Sequence, residues 1–198
     1  MYLYGASGHA KVIIEILETQ GIQVSALFDD NSNITELLDY KVIPLKSDLL
    51  SEKSLIISIG DNKIRKQLAE KFAPATFAQA IHPTAVISKR ATILPGTVVM
   101  GNAIINSQAQ IGKHVIINTA ASIDHDCIIG DYAHISPNAT LAGNVTVGVG
   151  SWIGAGAVII PGVKIGQWCV VGAGAVVIND VQDGVTVVGN PGRVNKCK

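Results

Sequence analysis

The stretch INTAASIDHDCIIGDYAHISPNATLAGNVTVGVGSWIGAGAVI, residues 117–159, places an aliphatic side chain at every sixth position: Ile117, Ile123, Ile129, Ile135, Leu141, Val147, Ile153 and Ile159. Followed towards the N-terminus, the series passes Ile111, Ile105, Val99, Ile93 and Ile87 and begins at Ile81. Towards the C-terminus it passes Ile165 and Val171 and ends at Val177. Two residues earlier a second, mostly small series recurs, as at Ala103, Ala109, Ala121, Cys127, Ala133, Ala139, Ala157 and Ala175. A short fixed period sustained over this distance marks a solenoid.

A period of six matches neither a helix nor a continuous strand. It matches a short strand plus a corner, three of which close a triangular coil of about 18 residues. The aliphatic residue points into the prism, and the small residue before it serves the tight corner. Successive coils then stack about 4.8 Å apart as paired strands. On this count residues 81–178 make about five and a half coils. The phase is unbroken, so no loop is expected to protrude.

The first eighty residues have another texture. Tyr2–Tyr4 reads as a strand entering Gly5-Ala6-Ser7-Gly8-His9. Ala10–Gln20 has helical spacing and is stopped by Gly21. Val24–Phe28, Val42–Leu45 and Leu55–Ile59 read as strands, and Lys63–Phe72 as a second helix. This order predicts an α/β, Rossmann-like domain over 1–77, followed by an all-β parallel β-helix over 78–198.

Composition excludes some functions. The net charge is zero, so no basic footprint for nucleic acid is present. No apolar run approaches the length of a membrane span. The N-terminus lacks the basic start of a secretory signal. Cys127, Cys169 and Cys197 form no disulfide framework, and a reducing cytoplasm is expected.

Two places carry chemistry. Gly5–Gly8 joins a strand to a helix N-terminus, where free N–H groups favour phosphate. Asp29 and Asp30 end the second strand, where a carboxylate in such folds meets a ribose; both also fit a plain solvated turn. In the prism, Asp124-His125-Asp126 is the densest acid–base cluster. A carboxylate beside an imidazole fixes its tautomer and favours a general base. One coil further on, Gly143 offers close approach and a backbone N–H able to polarise a carbonyl. His134 lies half a coil from His125, placed to meet a neighbouring subunit's site. His114 reads as an ordinary solvated surface residue. Trp152 and Trp168 read as covers of the prism surface or of a subunit interface.

The hexapeptide series, the segment Ile153–Ile159, the closing Val188-Gly189-Asn190-Pro191-Gly192-Arg193 and the opening Tyr4-Gly5-Ala6-Ser7-Gly8-His9 together carry a family likeness. The whole chain resembles the PglD/NeuD group of sugar acetyltransferases, within the left-handed β-helix acyltransferases. The resemblance implies left-handed coils and a homotrimer with active sites between prisms. It implies acetyl-CoA as co-substrate and no metal. It also implies a UDP-linked 4-amino-4,6-dideoxy sugar as acceptor, held by Gly8, His9, Asp29, Asp30, Gly60, Asn62 and Asn118, with Arg65 nearby. His125 matches the family's general base. Asp126 stands where the family commonly has Glu, which leaves open whether Asp124 or Asp126 orients the ring. Gly143 matches the donor to the thioester carbonyl, and His134 a position near the acetyl group. Ala142, Ala155, Gly156, Ala173, Asn190, Pro191 and Arg193 match the CoA wall.

The nearest rival is O-acetylation of sialic acid or another sugar, as in the NeuD branch. A zinc lyase of the γ-carbonic anhydrase type needs a different spacing from that of His114, His125 and His134. A β-helix scaffold without catalysis would leave the Asp-His-Asp cluster unused.

Overall fold

The computed structural model describes residues 1–45 and 54–195; Cys197 lies outside them. The N-terminal unit contains β1 (Tyr2–Tyr4), α1 (Gly8–Thr19), β2 (Ala26–Phe28), β3 (Glu36–Leu37), β4 (Tyr40–Ile43), β5 (Leu55–Ile57) and α2 (Asn62–Lys71). Its sheet has the order β3-β4-β2-β1-β5 and is parallel except for the β3–β4 hairpin. Leu3, Leu27 and Ile56 fill its core with Ile13, Ile14, Ile16 and Leu17 of α1; of the helical spacing Val12, Ile13, Ile16 and Leu17, Val12 faces outward and is exposed. The third predicted strand begins two residues earlier than expected, because Tyr40 and Lys41 pair back onto β3.

From β6 (Ala80–Ile81) to β22 (Val176–Val177) every strand is two residues long. Each pairs in parallel with a strand one coil away, so that Ile105, for example, stacks on Ile123 and Ile123 on Leu141. Three faces result. Face 1 starts at β6, face 2 at β7 (Val86–Ile87) and face 3 at β8 (Thr92–Ile93). The aliphatic series forms the prism core, fully buried from Val99 to Val177. The small series is buried with it, so those residues fill the interior as well as serving the corners. The residue between the two series faces outward.

The corners need left-handed backbone. Asn102, Gln108, Ala120, Asp126, Asn138 and Asn144 all have φ between 54° and 61°. Asn and Asp enter this region at lower cost than other side chains, and they supply four of these six corners.

The wind extends beyond the count read from the period, and face 1 stacks eight strands. Val181 bridges to Ile165, and Val187 of β23 (Thr186–Val188) pairs with Val171. Both links are two residues short of a regular coil, so the extra turn falls out of phase. An antiparallel strand, β24 (Arg193–Asn195), then closes face 1.

The two units share one core. Ala80, Val98, Met100 and Ile116 on the outer side of face 1 pack against Leu3, Ile13 and Leu17. The junction is fastened by Arg65, which is 1% exposed. Its Nε donates to His114 O at 2.8 Å. One terminal nitrogen donates to the carbonyls of Ile59 and Gly60, each at 3.0 Å. The other donates to Asn62 Oδ1 and Tyr132 O at 2.8 Å and to Ala133 O at 3.4 Å. Burial lowers the guanidinium pKa to about 10, a value at which it remains charged.

His114 is a correction to the sequence reading. It is buried, edge-on to Phe77 and stacked on Tyr132 at 5.5 Å. Burial pulls its pKa down to about 4. The sequence hides this because the packing partner Phe77 comes from the N-terminal side of the prism.

Candidate active site

Two groups of candidate residues lie on different sides of the prism. The first sits at the corner between faces 2 and 3. Ile123 points inward, so Asp124, His125 and Asp126 make the turn. Asp126 takes the left-handed position with φ 60°, and its Oδ2 lies 2.7 Å from His125 Nδ1. The residue after the histidine is thus the one that orients the ring. Asp124 has a separate role. Its Oδ1 accepts from His125 N at 2.8 Å and from Asn106 Nδ2 at 2.9 Å, which bolts the turn to the preceding coil. Those two hydrogen bonds hold the Asp124 carboxyl below its usual range. The hydrogen bond that His125 donates to Asp126, with the charge of Asp124 behind it, raises the His125 pKa above the ordinary histidine value.

His125 lies over Gly143 of the next coil. A Cβ on Gly143 would stand 2.7 Å from His125 Cε1 and 2.8 Å from Nε2. Only glycine accommodates the ring in this position. Gly143 is buried, and its N–H donates to no group among the described residues. At the equivalent corner one coil earlier, Asp124 Oδ1 takes the corresponding N–H of His125. Here the preceding residue is Ala142, which has no side-chain oxygen to offer. An N–H without a protein acceptor is available as a donor to a ligand. Gly143→Ala is expected to push the imidazole off Asp126 and to lower kcat by about tenfold or more, with little change in thermal midpoint; steady-state kinetics beside a melting curve checks this.

The second group lies on face 1 against the N-terminal unit. His134 stacks in register with Trp152, its ring parallel at 5.6 Å, and its Nε2 lies 3.0 Å from Asn118 Nδ2. Burial, then the nearby charges of Arg65 and His9, pull the His134 pKa down to about 3. His9, at the start of α1, is held at about 4 by burial, with Arg65 adding to the effect. Its Nε2 is buried without a hydrogen-bond partner among the described residues. Ser7 is the N-cap of α1, yet its side chain caps nothing, which leaves the first N–H groups near Gly8 available.

Asp29 holds this end of the sheet in shape. Its Oδ2 accepts from Ala6 N at 2.7 Å and its Oδ1 from Asn31 N at 2.8 Å. Gly5 makes the turn with φ 110°, tight against Ile59. Asp30 lies 3.7 Å from Lys71 Nζ. Both acids border a cavity of about 180 Å³ closed by Ile34, Val42 and Pro44.

Gly60 and Asn62 belong to the junction. The Gly60 carbonyl accepts from Arg65, and Asn62 Nδ2 donates to Gly150 O at 3.0 Å. Asn62 is therefore occupied at both ends by protein. Ala142 flanks the His125 corner. Ala155, Gly156 and Ala173 form the exposed corner between faces 1 and 2. Asn190 and Pro191 are exposed beyond β23, and Arg193 opens β24. Sequence reading misses the role of Arg65 as a fastener, and no local signal marks it.

Comparison with known proteins matches both units of the fold. Residues 1–72 match the PglD N-terminal domain, and 108–143 and 144–179 match the bacterial transferase hexapeptide family. A histidine-to-asparagine variant of perosamine N-acetyltransferase from Caulobacter crescentus, solved with CoA and GDP-perosamine, is 37% identical with a TM-score of 0.94. That likeness covers 99% of this chain and 96% of the other. The acetyltransferase domain of PglB from Neisseria gonorrhoeae FA1090, solved with acetyl coenzyme A, is 35% identical over 98% of each chain, with a TM-score of 0.90. UDP-N-acetylbacillosamine N-acetyltransferase of Bacillus subtilis is 41% identical over 107 residues, and the match spans half of that protein's length. The chain belongs to the PglD-like, hexapeptide-repeat sugar acetyltransferases.

Proposed function

We propose that this chain moves an acetyl group from acetyl-CoA to the amino group of a nucleotide-linked amino sugar, and that the acceptor is a UDP-linked 4-amino-4,6-dideoxy sugar. One observation carries the chemistry: His125, tied to Asp126 at 2.7 Å, lies over a buried glycine whose N–H has no acceptor among the described residues. With its proton held on Nδ1, His125 presents a free Nε2. The acceptor nitrogen attacks the thioester carbonyl as Nε2 takes its proton. Gly143 N–H donates to the tetrahedral oxyanion. Collapse breaks the carbon–sulfur bond, and the departing thiolate takes the proton back from His125.

In this reading the uncapped start of α1, with Gly8 and His9, receives the diphosphate, and Asp29 and Asp30 face the ribose and base. The CoA wall runs along face 2, between Ala142 on one edge and Ala155, Gly156 and Ala173 on the other, towards Asn190, Pro191 and Arg193. His125 and His134 sit on different sides of one prism, so a complete site takes His134 and Asn118 from a neighbouring copy. A homotrimer supplies this arrangement, and the exposed Val86, Ile104 and Val158 of face 2 suit such a contact. No helix of the described residues is long and apolar enough to cross a membrane. The need for acetyl-CoA and a nucleotide sugar points to the cytoplasm as the place of action.

The test is CoA release with three acceptors: UDP-4-amino-4,6-dideoxy-N-acetylglucosamine, GDP-perosamine and free sialic acid. Turnover of the UDP sugar is expected. Preference for GDP-perosamine would replace the nucleotide, and turnover of sialic acid alone would move the chain to O-acetylation.

A base must be unprotonated to act, so kcat/KM is expected to fall as pH drops through the His125 pKa. Asp126 raises that pKa, so the acid limb should lie above the ordinary histidine value. Asp126→Asn should move the limb to lower pH and reduce the plateau. An unmoved limb would separate the profile from this pair.

A further inference from the structure

Face 1 carries a chain of contacts that the acetyl-transfer steps do not use. Thr119 N donates to Asn118 Oδ1 at 2.8 Å. A backbone N–H can only donate, so this contact fixes which end of the Asn118 amide is oxygen. The other end, Nδ2, lies 3.0 Å from His134 Nε2. An amide NH₂ also only donates, so Nε2 must carry the lone pair and the ring proton must sit on Nδ1.

The surroundings keep this state in place. The ring is parallel to Trp152, and Trp152 Nε1 donates to Ser136 Oγ at 2.7 Å, which pins the indole against it. Burial disfavours the imidazolium, and Arg65 and His9 lie close enough to disfavour it further. The opposite nitrogen is different. His134 Nδ1 has no hydrogen-bond partner among the described residues and is not sealed from solvent, unlike the buried ring nitrogens of His9 and His114.

We propose that Asn118 is a positioning residue that locks His134 in the Nδ1–H tautomer, so that His134 serves as a fixed hydrogen-bond donor to the acceptor sugar and not as a second base. A neutral donor of this kind selects an oxygen with a free lone pair: a hydroxyl, an amide carbonyl or a phosphate oxygen. With Nδ1 already protonated it cannot take a proton from the acceptor amine at that nitrogen, so deprotonation falls to His125. The donor role rests on the acetyl-transfer reading; the tautomer does not.

The experiment is long-range ¹H–¹⁵N correlation on histidine-labelled full-length protein, with His134→Gln for assignment. The wild-type spectrum should give Nδ1–H for His134, unchanged between about pH 5 and about pH 8. Isolated neutral histidine favours Nε2–H, so the result discriminates. Asn118→Asp offers only acceptors, so Nε2 becomes the protonated nitrogen, and at a pH where the ring is neutral the tautomer should switch to Nε2–H. It should raise the acceptor KM about tenfold, the worth of one hydrogen bond, with the acetyl-CoA KM unchanged. Nε2–H in the wild type, or titration of His134 in that range, overturns the tautomer lock. Nδ1–H together with unchanged acceptor kinetics in Asn118→Asp overturns the donor role. The wild-type spectrum needs no variant, so a misfolded Asn118→Asp still leaves the lock decided. Failure of every amino sugar to turn over counts against acetyl transfer and the donor role, while the spectrum still decides the lock.

Discussion

His125→Ala is expected to lower kcat by about 10²–10⁴ while leaving the fold and acetyl-CoA affinity intact. In the proposed mechanism the size follows from the loss of proton transfer in the step that forms the new carbon–nitrogen bond. The selectivity follows from where the residue sits. His125 is an exposed corner residue, and its ring contributes nothing to the prism core. Its backbone contacts, to Asp124 and from Asn144 N, survive truncation. The Gly143 amide also survives, so a residual rate from oxyanion stabilisation should remain. Kinetics beside calorimetric titration with acetyl-CoA checks this. Wild-type turnover in the variant would remove His125 from the mechanism, and lost acetyl-CoA affinity would make it a binding residue instead.

Arg65→Met is expected to destabilise the protein by about 3 kcal/mol or more, with the thermal midpoint falling by about 6–12 °C. The guanidinium makes six hydrogen bonds, five to carbonyls and one to Asn62 Oδ1. Met fills similar space but removes the donor from the carbonyls of His114, Ile59, Gly60 and Tyr132 and from Asn62 Oδ1, while Ala133 O keeps its bond from Ile116 N. Arg65→Lys should recover little, since a single ammonium cannot reach Ile59 O on one side and Tyr132 O on the other. Scanning calorimetry gives the answer. An unchanged midpoint would mean that the junction is held by the Leu3, Ile13 and Val98 packing alone.

The prism is legible in the sequence because its core obeys one strict rule. Each inward residue is set by phase, and from Val99 to Val177 every in-phase aliphatic side chain is buried. The His125 corner is legible for the same reason: stacking one coil above another puts Gly143 under the ring by arithmetic. The junction is not legible. Val98, Met100 and Ile116 occupy outward positions and read as surface until α1 covers them. His114 and Arg65 likewise take their meaning from partners far away in sequence. Sequence period reports contacts within the solenoid; it says nothing of what docks on its outside. The end of the wind escapes for a related reason: Val181 and Val187 leave the phase by two residues, and a fixed-period count stops there.

The stacked coil also sets a quantum for change in chain length. One extra coil of about 18 residues, inserted at the Ala173-Gly174 corner, would lengthen the groove on face 2 by about 4.8 Å and leave His125 over Gly143. An insertion of about six residues after Ile129 would be a different event. It would carry His134 from face 1 to face 2, away from Asn118 and α1, and would take Gly143 out from under His125. The prism thus has a reading frame of its own, counted in whole turns. Whole-turn indels beyond the Gly143 corner change only the length of the groove, whereas any indel between His125 and Gly143 separates the two.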